Sequence, residues 1–140
     1  MKKNPVPREA LKITLGGFSS KGIKPENQDA FAAHNPSSTA EAKYKGIVAC
    51  LADGVSCSVN AQNASQTAVT QFVQDYYSTP DSWSVKESAA RVLTSLNSWL
   101  HHHSHQTDIT HSDGWLTTFS CAVFKSTTAH LLHVGDSRIY

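Results

Sequence analysis

The feature that most constrains this chain is a change of period in its middle. Over residues 59–77, Ala61, Ala64, Ala68, Phe72, Val73 and Tyr76 recur at three- and four-residue steps, which predicts a helix with one apolar stripe. Ser78-Thr79-Pro80-Asp81 breaks it. A second stripe follows in Val85, Ala89, Val92, Leu93, Leu96 and Leu100, announced by Ser84 and Glu87 at the spacing of a capping box. On either side the period falls to two. Residues 11–18 alternate Leu11, Ile13 and Leu15 with polar neighbours, and 29–34 and 46–52 are two further strand candidates. After the helices, 115–125 and 129–135 return to strand character around a turn at Ser126-Thr127-Thr128. Residues 19–28, 35–45 and 106–114 are polar and predict connections. Strands, two helices, then strands predict an α+β domain with its helices on a mainly antiparallel sheet.

Length and charge narrow the function classes. A chain of 140 residues with 39% hydrophobic residues suits one core. The 12 basic and 11 acidic side chains leave a formal charge of +1, which predicts no nucleic-acid footprint. No apolar run reaches the roughly 18 residues that suggest a membrane helix. Residues 1–10 lack the apolar segment of a signal peptide, so they are expected to be an N-terminal extension of a cytoplasmic protein, with the domain over 11–140. Cys50, Cys57 and Cys121 form no C-x-x-C pair, and all three are expected to be structural or incidental. The last residues run into strand-like sequence at Ile139-Tyr140, which predicts a domain that continues further.

Three aspartates stand at strand ends. Asp29 opens one, Asp53 closes the next and Asp136 follows the last. If the second and third strand candidates pair as a hairpin, Asp29 and Asp53 share its open end. Two carboxylates that close repel unless a proton or a cation sits between them. Oxygen donors without nearby His or Cys select hard ions such as Mg²⁺ or Mn²⁺, and Gly54 leaves a backbone carbonyl accessible. An aspartate at a strand end can equally cap a turn or a helix, as Asp53 could for the helix that follows. A second candidate site is His101-His102-His103-Ser104-His105, with His111 nearby, where His101 and His105 have the spacing of a chelating pair on one helix face. The favoured reading there is a polar helix end whose histidines complement the dipole.

Asn27-Gln28-Asp29-Ala30, Leu51-Ala52-Asp53-Gly54-Val55 and Val134-Gly135-Asp136-Ser137-Arg138-Ile139-Tyr140 resemble, in order, three signature segments of the metal-dependent PP2C-type protein phosphatases. Thr117-Thr118 is similar to that family's paired threonines. Residues 75–77, 97–100 and 125–140 look closest to the phosphatase part of bacterial bifunctional serine/threonine kinase–phosphatases. The resemblance implies a β-sandwich flanked by helices, with a binuclear Mn²⁺ or Mg²⁺ site at one end. It implies that Asp53 bridges both ions, that Gly54 offers its carbonyl and that Asp29 acts through water. Asp136 would support a weaker metal site or the surroundings, while Ser137 and Arg138 hold the strand end.

Two departures accompany the resemblance. Gln28 stands where many relatives have Glu, and the usual phosphate-binding Arg is missing, with Lys24 the nearest substitute. A lysine neutralises phosphate as a point charge but cannot grip it bidentately. The family's later metal-binding aspartates would lie past Tyr140. The expected function is therefore metal-dependent hydrolysis of phosphoserine and phosphothreonine proteins, inactive in these 140 residues, with a possible kinase domain in the same full-length chain. The alternative is a non-catalytic PP2C-like module that binds a partner or a phosphoprotein.

Overall fold

The computed structural model describes residues 11–106 and 114–140. Seven elements follow in the order β1 (Asp29–His34), α1 (Thr39–Lys45), β2 (Ile47–Asp53), α2 (Ala61–Ser78), α3 (Val85–Gln106), β3 (Phe119–Lys125) and β4 (Thr128–Val134). The strands form one antiparallel sheet in the order β1-β2-β3-β4. The α+β architecture expected from the sequence is therefore present, as a sheet with helices on one face. Among the described residues there is a single sheet; the second sheet of a sandwich is not among them.

Alternation sorts the sheet into two faces. Ala30, Val48, Cys50, Ala52, Phe119, Cys121 and Val123 are buried on the helix side. There they meet Ala64, Ala68, Val69, Phe72 and Tyr76 of α2, the stripe whose spacing announced the helix. Each large side chain taken fully out of water contributes about 1.5–3 kcal/mol, so this face supplies most of the fold's driving force. The α3 stripe joins the same core through Val85, Ala89, Val92, Leu96 and Leu100, and α3 packs on α2. Ser84 caps α3 by accepting from the Glu87 backbone N–H at 3.1 Å, while the Glu87 carboxylate lies 3.8 Å from Arg91.

Two expectations from the sequence need correction. Residues 11–18 form no strand. Gly17 instead lies against the Phe31 ring, so closely that a Cβ there would collide with it. Residues 35–45 are not all loop, because Thr39–Lys45 is helical and Ser38 accepts from the Glu41 N–H at 3.4 Å. Lys45 ends that helix 1% exposed, its Nζ donating to Thr79 Oγ1 at 2.6 Å and the Pro80 carbonyl at 2.8 Å. Burial lowers its pKa, partly offset by the charge of Asp81. Tyr76 and Tyr77 hydroxyls donate to the carbonyls of Lys45 and Gly46, both at 2.8 Å, which ties the start of β2 to the end of α2.

Candidate functional site

The β1–β2 register places Asp29 directly opposite Asp53. Both side chains project from the face away from the helices, in step with Phe31 and Leu51. Backbone bonds fix this end of the sheet. The Asp53 N–H donates to Thr118 Oγ1 at 3.0 Å, and the Asp53 carbonyl accepts from Thr118 N at 2.9 Å and Thr117 Oγ1 at 3.1 Å. The Gly54 N–H donates to the Gln28 carbonyl at 2.9 Å, and the Asp29 N–H to Asn27 Oδ1 at 3.1 Å. Thr117 and Thr118 thus act as a clamp on Asp53, a role their sequence position did not disclose.

Only glycine fits at position 54. A Cβ built there would land on the Ala61 carbonyl at the start of α2, so the loop leaving Asp53 runs flush against the helix. Asp53 does not cap α2, as its place before the helix would allow; the N-cap is Asn60. The Ser58 hydroxyl, just before α2, donates to the Gly114 carbonyl.

The Asp53 carboxyl is held above the usual carboxylate range. Burial is the leading cause, followed by the hydrogen bond and charge of Asp29 and, last, the charge of Asp136; Lys24 opposes them. Two carboxyls placed across from each other in this way repel unless a proton or a cation lies between them. Their oxygens are hard donors of the kind Mg²⁺ and Mn²⁺ prefer, so the chemistry of the pair fits such an ion. Among the described residues no three acidic, histidine or cysteine side chains converge on one point. Asp136 acts on Asp53 through its charge from beyond β4, where Ser137 bonds Thr118 at 2.9 Å and Arg138 Nη1 donates to the Tyr140 hydroxyl at 3.2 Å.

Lys24 sits at the same rim. Its Nζ donates to Gln28 Oε1 and to Ser56 Oγ, each at 3.2 Å. A turn closed by Lys24 N–H to the Lys21 carbonyl at 3.1 Å presents it there. Beside the rim an open groove of about 870 Å³ runs along the exposed sheet face, bounded by residues 15–20 on one side and Ser137, Arg138 and Ile139 on the other.

The histidine cluster looks different. His103 stacks on Trp99 with centroids 3.7 Å apart, and its Nδ1–H donates to the Trp99 carbonyl at 3.0 Å. Trp115 packs edge-on against Trp99. The side chain of His105, the second half of the expected chelating pair, lies outside the described residues, as does His111. Cys50 and Cys121 are buried free thiols facing each other across β2 and β3, and burial pushes Cys50 up to about 12. No described helix is long and apolar enough to cross a membrane.

The family model described as protein phosphatase 2C matches residues 21–140. No curated protein and no solved structure matches the chain.

Proposed function

The chain belongs to the protein phosphatase 2C family, and from that premise we propose that the Asp29–Asp53 rim is the cation-binding core of a metal-dependent phosphoserine/phosphothreonine phosphatase domain. The observation that supports this most is the register: two carboxylates, 24 positions apart in the chain, face each other in contact at one end of the sheet. In this reading Asp29 and Asp53 hold Mn²⁺ or Mg²⁺, with the Gly54 carbonyl beside them and Asp136 further out. Bound there, such an ion would offset charge on the phosphoryl oxygens and bring a water's pKa toward neutrality. Lys24 steers the phosphate by its charge, and the groove along the open face receives the flanking polypeptide. The substrates are phosphoserine and phosphothreonine proteins of the cytoplasm, and a kinase domain in the same full-length chain is part of the proposal.

Because only two acidic side chains meet at the rim among the described residues, the 140-residue chain holds its cation weakly and turns over phosphopeptide at background. Mn²⁺ titration and a phosphopeptide assay test both statements. Weak binding that disappears in Asp53→Asn is expected. Rapid turnover would contradict the second statement, and unchanged binding in Asp53→Asn the first. The short acidic set also favours a second reading, a non-catalytic phosphoprotein-binding module. That module would bind a phosphopeptide without added cation and be indifferent to Asp53→Asn.

A further inference from the structure

An ammonium group has three N–H donors. At Lys24 two are taken by uncharged oxygens, Gln28 Oε1 and Ser56 Oγ. Among the described residues Lys24 makes no ion pair with a carboxylate. Its two acceptors belong to the two arms of the carboxylate rim: Gln28 directly precedes Asp29, and Ser56 follows Asp53 by three residues. The backbone joins the arms as well, through the Gly54 N–H and the Gln28 carbonyl. The amine is therefore held at the rim by neutral acceptors, with no carboxylate paired directly to it although its charge reaches Asp53, and one donor remains.

We propose that Gln28 and Ser56 are positioning residues whose neutral oxygens aim Lys24 and leave its charge and third donor for a phosphate monoester dianion. The inference rests on the reading of Asp29–Asp53 as the cation site and adds what selects the anion. Acceptor charge is the decisive variable. A carboxylate at position 28 would pair with the ammonium and cancel the charge that a phosphate needs, although its shape is nearly that of glutamine. Loss of the Ser56 hydroxyl would leave the flexible lysine stem anchored at one point, so that more of its rotamer freedom must be given up on binding.

The test is a set of NMR titrations of the 140-residue chain in Mg²⁺, with inorganic phosphate, a phosphoserine peptide and the unphosphorylated peptide as probes. Lys24→Met and Gln28→Glu are expected to weaken both phosphate and phosphopeptide binding roughly tenfold, the scale of one charge-assisted hydrogen bond. Ser56→Ala should weaken both about threefold, and Ser56→Thr, which keeps the hydroxyl, should restore them. Unphosphorylated peptide should bind the wild-type chain and the variants alike. A separate Mg²⁺ titration of Asp53→Asn checks the cation site. If Mg²⁺ binding depends on Asp53 while Gln28→Glu and Ser56→Ala bind phosphate as the wild type does, the positioning role is overturned and the cation site stands. If Asp53→Asn binds Mg²⁺ unchanged, the cation site itself is wrong. Loss of peptide binding without loss of inorganic phosphate binding would also overturn the inference, because the affected contacts would then lie along the peptide.

Discussion

On the helix side of the sheet, Val48, Ala52, Phe72 and Val123 are fully buried in one hydrophobic cluster. On the other side, Phe31, Leu51 and Leu131 remain 49%, 41% and 60% exposed, and the strands end in two opposed carboxylates. The same four strands make both faces, so the contrast isolates what each one does. Burial on the helix side makes the sheet rigid enough to hold Asp29 and Asp53 against their own repulsion. The open side keeps those groups accessible, with the clamp of Thr117 and Thr118 as their local support.

Truncation on each face gives the largest expected contrast. Phe72→Ala removes a ring packed against Tyr76 and Phe119 and should cost about 3–5 kcal/mol in urea unfolding. Leu51→Ala, on the open face of the same sheet, should cost less than about 1 kcal/mol. Comparable losses at the two positions would erase the distinction between the faces. Gly54→Ala tests the junction between them. Its new methyl meets the Ala61 carbonyl, so about 1–3 kcal/mol should be lost through displaced backbone. Cation binding should weaken along with it, as measured by Mn²⁺ titration of the folded variant.

The smallest effect has the opposite sign. Asp53→Asn removes one of two like charges placed directly across an antiparallel pair and should stabilise the chain by about 0.5 kcal/mol near neutral pH. The pH dependence follows from the raised pKa of Asp53. The folded state binds this proton more tightly than the unfolded chain does. That contribution is complete below the usual carboxylate range and is lost as pH rises through the raised folded value. The advantage of Asp53→Asn should therefore fade on acidification, when Asp53 is protonated in both states. Thermal melts across the acidic range read this directly, and an advantage that grew in acid would refute the assignment of repulsion.

Much of this arrangement was legible in sequence because it depends on periodicity. The two helical stripes follow from spacing, whereas the pairing of β1 with β2 had to be supposed; once it is supposed, the meeting of Asp29 with Asp53 follows, and the register has both. Residues 11–18 show where that logic stops. Alternation signals a strand only where a partner strand is in reach, and Gly17 against Phe31 uses the segment as a cover instead. Helix α1 has too little apolar periodicity to announce itself, although Ser38 and Glu41 have capping-box spacing that could have revealed it. The contact of Lys24 with Ser56 and the burial of Lys45 against Thr79 and Pro80 are tertiary, and no local pattern encodes them. The same holds for Ser120 and His133, bonded across β3 and β4 at 2.8 Å.

The most direct measurement is site-resolved NMR line broadening by substoichiometric Mn²⁺, which reports every amide near the bound ion at once. Amides of Asp29, Asp53 and Gly54 should broaden first, Lys24 and Ser56 next, and Asp53→Asn should abolish the pattern. Broadening centred on His101–His103, or broadening at the rim that survives Asp53→Asn, would contradict a cation site built on the two facing aspartates.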